Sequence, residues 1–228
     1  LIAALKAMTA HVDNSLPLTA AQLKNYLNDI RFNYNGNFLS AETEIFSLIS
    51  TYENLNEPLF TDRSVLGLST LSSDKQAIIY LQQAIHDEQF NLDNIEKMAG
   101  VKFEVADVFP GMVADDAARV NQAKVEVNGS YKINPAARVA ADLDDAKRPT
   151  GYYAAPGELV NIHIDETLID KGLSVMIGAH DSDHSTLTST NRFVRITKTY
   201  PLTTTTTKIA NPFGGGIYLK IPEDSELG

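Results

Sequence analysis

The sequence predicts an α+β chain, a helical N-terminal domain followed by an antiparallel β-sandwich of jelly-roll type. Three observations predict it. Apolar residues recur at helical spacing as far as Gly100. Beyond Gly100 that period gives way to short apolar stretches separated by turn residues, the mark of a sandwich or jelly roll. The chain of 228 residues is 43% hydrophobic and 21% charged, an ordinary globular balance with enough apolar material for one large or two smaller domains.

The elements follow in order. Residues 1–12 are a first helix candidate. Thr19-Ala20-Ala21-Gln22 has the spacing of a capping box, and Leu23, Tyr26, Leu27 and Ile30 follow at i, i+3, i+4 and i+7. Asn35-Gly36-Asn37 ends that helix. Ser40 is the predicted cap of the next, which places Ile45, Leu48, Ile49 and Tyr52 on one face, with Pro58 beyond its end. Residues 74–90 form a further strong helix with Ile78, Leu81 and Ile85 inward, and 92–99 a weaker one stopped by Gly100. These stripes read as core faces rather than cofactor contacts.

Past Gly100, residues 102–109 alternate apolar and polar. Val125-Glu126-Val127 and Tyr131-Lys132-Ile133 flank Asn128-Gly129-Ser130, a hairpin signal. Residues 138–147 are a charged connector. Strands are predicted at 152–154, 159–164, 174–179, 193–200, 203–210 and 216–221, and 222–228 reads as a turn leading to a further strand, so that the sandwich is expected to be truncated. The implied division is a helical domain over 1–100, a hairpin and connector over 101–147, and a sandwich over 148–228. Thr203 to Thr207 are five consecutive threonines, suited to a half-exposed strand.

The formal net charge of −10 removes the positive surface that nucleic acid or an anionic membrane would need, so neither is an expected partner. The absence of cysteine removes disulfides, thiolate metal sites and cysteine nucleophiles. No apolar run approaches the roughly 18 residues of a membrane-spanning helix, and no membrane insertion is expected. The chain starts at Leu1 without a start methionine or signal peptide, and is expected to be a piece of something longer.

His180-Asp181-Ser182-Asp183-His184 is the densest group of potential metal ligands. It lacks the HExxH spacing and lies at a strand-to-loop junction. The competing reading is a polar loop whose side chains cap local turns, and no metal is expected there. Asp142, Asp144 and Asp145 resemble a broken calcium loop without its glycine and terminal glutamate, and read as solvated charge. No Gly-x-Ser-x-Gly elbow, P-loop or dinucleotide fingerprint occurs. What stands out is Asn211-Pro212-Phe213-Gly214-Gly215-Gly216-Ile217-Tyr218. Glycine is costly in a strand, so three in succession need a reason. One reason is a bulge or tight turn into the strand. The other is a bare strand edge lining a substrate groove, where an extended peptide could pair.

Four ordered stretches carry a resemblance: Thr150-Gly151-Tyr152-Tyr153-Ala154-Ala155-Pro156-Gly157-Glu158, Ile177-Gly178-Ala179-His180-Asp181, Asn191-Arg192-Phe193, and Asn211 to Tyr218. Together they resemble the opening of the catalytic region of the enhancin-like zinc metallopeptidases, which include viral enhancins and bacterial mucin-degrading proteases. The helical first half is similar in layout to the immunomodulating metalloprotease branch. The resemblance implies a zinc endopeptidase, secreted or displayed on a bacterial surface, whose substrates are mucin-like O-glycosylated proteins. Its zinc is held by HExxH and a downstream glutamate. None of those positions occurs in this sequence, so no catalytic residue and no zinc ligand is assigned, and the zinc and the remaining catalytic domain belong to the rest of the parent polypeptide. The resemblance places substrate-binding residues at Asn211, Phe213, Gly214, Gly215, Gly216 and Tyr218, with Tyr152 and Tyr153 beside them. The alternative is a β-sandwich glycan-binding or adhesion module in which Tyr152, Tyr153 and Tyr218 stack on sugar rings.

Overall fold

The computed structural model describes residues 1–61, 65–132 and 145–228. They form two compact units, one of Leu1–Glu88 with Ser182–Arg195, the other of Gln89–Asp181 with Ile196–Gly228.

The first unit holds the helices α1 (Ile2–Val12), α2 (Ala20–Asn33), α3 (Phe38–Leu55) and α4 (Ser73–Ala84). The capping box is present: Thr19 Oγ1 accepts from Gln22 N at 3.3 Å, and Thr19 N donates to Gln22 Oε1 at 2.9 Å. The predicted stripes face inward, with Leu23, Leu27 and Ile30 of α2, Ile45, Leu48, Ile49 and Tyr52 of α3, and Ile78 and Leu81 of α4 all buried. Ser40 does not cap α3. Gly36, at φ +74°, reverses the chain and lets the helix begin at Phe38, whose ring packs edge-on against Tyr34 and Phe46. Ser40 lies in the first turn and donates to Asn37 O at 2.9 Å. Past α4 the chain widens into one π-helical turn over Ile85–Gln89. Ser182–Arg195 completes this unit: Leu66 and Thr190 exchange backbone hydrogen bonds at 2.8 and 2.9 Å, and Phe193 packs on Phe60.

In the second unit, residues 92–99 form successive turns rather than an α-helix. Asn91 Oδ1 takes the N–H groups of both Asp93 and Asn94 at the start, and the bonds that follow close over three residues, Lys97 N to Asn94 O at 2.9 Å and Ala99 N to Glu96 O at 3.4 Å. Ile95 and Met98 are buried nonetheless. The alternation over 102–109 yields a single 3-10 turn, Glu104–Asp107, that buries Phe103, Val105 and Ala106.

The strands are β1 (Ser130–Tyr131), β2 (Ala146–Ala154), β3 (Val160–His163), β4 (Ser174–Ile177), β5 (Lys198–Pro201), β6 (Thr206–Ile209), β7 (Gly215–Ile221) and β8 (Ser225–Glu226). They make a four-stranded sheet in the order β2-β7-β4-β5 and the pairs β3-β6 and β1-β8, all antiparallel. The result is an α+β chain with open, sandwich-like sheets. The turn and strand foreseen after Ile221 are present as β8.

The hairpin around Asn128-Gly129-Ser130 does not form. Residues 125–127 are not a strand, and Tyr131 pairs with Ser225. The turn's backbone groups are claimed from elsewhere: Gly129 N donates to Gly228 O at 3.0 Å, Ser225 Oγ donates to Gly129 O at 2.7 Å, and Arg148 donates to Asn128 O and Ser130 O. Ile133, Asp142, Asp144 and most of the charged connector lie outside the described residues. Among the described residues no helix is long and apolar enough to cross a membrane.

Candidate functional site

The glycine run sits at the start of β7, a central strand hydrogen-bonded to β2 on one side and β4 on the other. It is therefore not a bare sheet edge. The edges are β2 and β5. Each carries a proline, Pro149 and Pro201, and β2 is bulged between Pro149 and Tyr153. Proline and bulges blunt an edge against a further strand. The structure thus disfavours peptide pairing along this sheet.

The glycines answer to close backbone approach. A Cβ on Gly214 (φ +66°) would lie 2.7 Å from Ala154 O, and one on Gly215 (φ +140°) 2.7 Å from Gly178 Cα. Gly178 N donates to Gly216 O at 2.8 Å, so β4 and β7 meet glycine on glycine. At Gly216 the nearest atom to an added Cβ is Tyr218 Cε2, at 3.1 Å. The Tyr218 ring, two residues along on the same face, lies over the bare backbone of Gly216.

Asn211 and Phe213 are fully buried and build this arrangement from within. Asn211 Nδ2 donates to Ile196 O at 2.8 Å and Ile177 O at 3.2 Å, and its Oδ1 accepts from Phe213 N at 3.0 Å. One amide thus ties the end of β4, the approach to β5 and the turn into β7. The Phe213 ring packs on Phe103. Tyr200 OH adds a hydrogen bond to Ala210 O at 2.6 Å, and its burial pushes the phenol far above its ordinary range. Asn211, Phe213, Gly214 and Gly215 are all buried.

The register divides the sheet into two faces. Ala154, Val175, Ile177, Tyr200, Ile217 and Ile221 form the buried one. On the other, Tyr153 stands opposite Gly216, Pro149 and Met176 flank Tyr218, and Lys147 stands opposite Lys220. Two lysines face to face repel. Lys147 bonds to Asp181, and Lys220 lies 3.5 Å from Asp145, so each has a counter-charge. Burial works to raise the Asp181 carboxyl, but the hydrogen bond and charge of Lys147 outweigh it and hold the group below its usual range. Tyr152 and Tyr153 are 38% and 45% exposed, in the bulge and just after it. Tyr153 OH donates to Gly111 O at 3.3 Å, and partial burial raises the phenol's pKa.

The His180–His184 group is split between other tasks. His180 packs on Phe109 with ring centroids 4.8 Å apart, and Asp181 holds Lys147. Asp183 accepts from Ser185 N at 2.7 Å. His184 Nδ1 lies 2.9 Å from Thr190 Oγ1 and its Nε2 3.1 Å from Arg192 Nη2. Arg192 also donates to Ser182 O and Phe193 O. Burial and then the Arg192 charge lower the His184 pKa. This is the turn-capping reading, with Arg192 of the third motif at its centre. Among the described residues no three His, Cys, Asp or Glu side chains group as a metal site.

Of the eight sequence-predicted residues, Tyr152, Tyr153, Gly216 and Tyr218 are exposed or half-buried, and the other four are internal. Sequence reasoning missed the Phe109–His180 contact and the Lys147–Asp181 pair, whose partners lie far apart in the chain without a spacing that would join them. Residues 116–228 match the family described as the N-terminal domain of M60-like peptidases. No curated protein and no solved structure matches the chain.

Proposed function

We propose that the chain, whose residues 116–228 match the family of N-terminal domains of M60-like peptidases, is the non-catalytic front of a secreted zinc metalloendopeptidase acting on mucin-like, O-glycosylated proteins. The observation that carries this reading is that all four ordered motifs lie inside the matched stretch. Among the described residues no group fits zinc: the His180–His184 side chains are engaged in turn capping and ion pairing. On this reading the metal and its chemistry would lie in another part of the parent polypeptide. Within the chain, residues 148–228 supply the sandwich of the peptidase region. Tyr152, Tyr153, Gly216 and Tyr218 would face the substrate, while Asn211, Phe213, Gly214 and Gly215 act by building the sheet that presents them.

A glycan-binding module without protease activity is the second reading, favoured by the exposure of Tyr152 and Tyr153 on one bulged strand. The test is the native reading frame beyond Gly228. HExxH with a later glutamate, and glycoprotein cleavage by the full-length product but not by this chain, is the expected result. A frame without that motif, or chelator-sensitive mucin cleavage by this chain alone, overturns the proposal.

A further inference from the structure

We propose that Asn35 is a site of spontaneous covalent modification, a deamidation that converts it to isoaspartate and loosens the junction of α2 and α3. The proposal rests on no part of the peptidase reading. The chain holds two Asn-Gly pairs, Asn35-Gly36 and Asn128-Gly129. Asparagine is a thermally labile residue, and a following glycine speeds its loss because no Cβ crowds the backbone nitrogen that attacks. The step is an intramolecular substitution. Gly36 N bonds to Asn35 Cγ, the Cγ–Nδ2 bond breaks, and ammonia leaves with the proton that the backbone nitrogen gave up. Water then opens the five-membered imide. Opening at Cγ gives aspartate. Opening at the backbone carbonyl gives isoaspartate, whose main chain runs through Cβ and Cγ. Nothing is oxidised or reduced.

The structure sets the two pairs apart. Tyr34–Asn37 is a turn closed by Asn37 N donating to Tyr34 O at 3.0 Å, with Gly36 at φ +74°. Asn35 and Gly36 are both exposed, and a Cβ built on Gly36 would meet nothing within 4 Å. Among the described residues neither Gly36 N nor the Asn35 carboxamide has a hydrogen-bond partner. Nucleophile and electrophile are both uncommitted there, and open space lets the torsions between them turn. At the other pair each is held. Gly129 is buried and its N–H donates to Gly228 O at 3.0 Å, while Asn128 Oδ1 accepts from Ser130 N at 2.8 Å. Reaction at Asn128 must first break both bonds.

The junction of α2 and α3 is sensitive to the product. Tyr34 and Phe38, buried on either side of the turn, pack edge-on with ring centroids 6.3 Å apart. Asn35 O accepts from Asn37 Nδ2 at 3.3 Å. Isoaspartate inserts a methylene into the main chain between the two rings and turns that carbonyl into a free carboxylate outside the backbone. Aspartate changes only the charge of an exposed side chain.

The test ages the 228-residue chain in mildly alkaline buffer, folded and in parallel in urea, and follows both pairs by peptide mass spectrometry with fragmentation that separates isoaspartate from aspartate. In the folded chain Asn35 is expected to deamidate at least tenfold faster than Asn128, with isoaspartate among its products and oxygen from labelled water in the new carboxyl. In urea the two rates should converge, because the contrast comes from structure. N35Q should leave residue 35 unmodified and the Asn128 rate unchanged, since glutamine would have to close a six-membered ring. Equal folded rates, a faster Asn128, no isoaspartate at 35, or a ratio that persists in urea would each overturn the proposal. Chain carrying isoaspartate at 35 should lose its helical far-UV signal at lower urea than fresh chain, whereas N35D should not. Isoaspartyl chain that unfolds together with N35D would overturn the effect on the junction.

Discussion

Three neighbouring glycines answer to three different constraints, and substitution separates them. Gly215 combines φ +140° with a Cβ position 2.7 Å from the backbone of Gly178, so neither side chain nor strand can yield cheaply. G215A is expected to destabilise the chain by about 3 kcal/mol or more. Gly216 has no positive φ, and its added methyl would meet only the Tyr218 ring, which can rotate away. G216A is expected to cost less than about 1.5 kcal/mol. Urea unfolding midpoints of the two variants test the difference, and equal losses would contradict it. Asn211 belongs with Gly215. N211A leaves the carbonyls of Ile177 and Ile196 and the N–H of Phe213 buried without their partner, and should cost about 2–4 kcal/mol on the same measurement. The sequence made the Asn-Pro-Phe-Gly-Gly-Gly stretch conspicuous. It could not separate its internal members from its exposed ones, because that division depends on β7 lying between β2 and β4.

Among the elements, α4 and the returning segment 182–195 are joined by one carboxylate. Asp87, in the π-helical turn, accepts from Arg195 Nε at 3.0 Å and Nη2 at 2.6 Å, from Gln83 Nε2 at 2.9 Å, and faces His86 Nδ1 at 2.8 Å. Burial works to raise this carboxyl, but the hydrogen bonds and charges of His86 and Arg195 bring it down to about 2, against an ordinary 3.8. A folded-state value below the unfolded one stabilises the fold above pH ~4, and that stabilisation is lost as pH falls toward 2. It amounts to about 2 kcal/mol. D87N should remove that amount at pH 6 and leave a flatter profile between pH 4 and 2, read as urea midpoints of the helical far-UV signal. An unchanged acid profile would mean that other carboxylates dominate. The helices themselves were legible because Leu23, Leu27 and Ile30, or Ile45, Leu48 and Tyr52, repeat at 3.6 residues and are buried for that reason. Two elements misled for the opposite reason. Residues 92–99 closed most of their backbone bonds over three residues instead of four, and the Asn-Gly pair at 128 lost its hairpin to the distant strand β8, Tyr131 pairing with Ser225. Local pattern sees neither kind of competition.

For the whole molecule, chain order and compact units do not coincide. The helical unit ends at Glu88 and resumes with Ser182–Arg195. No periodicity marks that late segment as belonging with the helices, since it is a loop of turns held by specific contacts. Those contacts are nevertheless substantial: the Leu66–Thr190 backbone pair, the Phe193 ring on the buried Phe60, Gln83 Nε2 donating to Arg195 O, and the Arg195–Asp87 ion pair. A cut at residue 100, where the sequence changes character, therefore removes part of the helical core. Burying a phenylalanine contributes about 2 kcal/mol, and a hydrogen-bonded, partly buried ion pair about as much again when broken from one side. Against a typical total of about 5–15 kcal/mol, that loss is large. A fragment of residues 1–100 is expected to retain helical far-UV signal but to bind the dye ANS and unfold at lower urea than the helical signal of the full chain. Replacing Phe193 and Arg195 by alanine in the full chain should shift that helical transition the same way. A 1–100 fragment as stable as the helices of the whole chain, with no dye binding, would show that Ser182–Arg195 leans on the helical unit without supporting it.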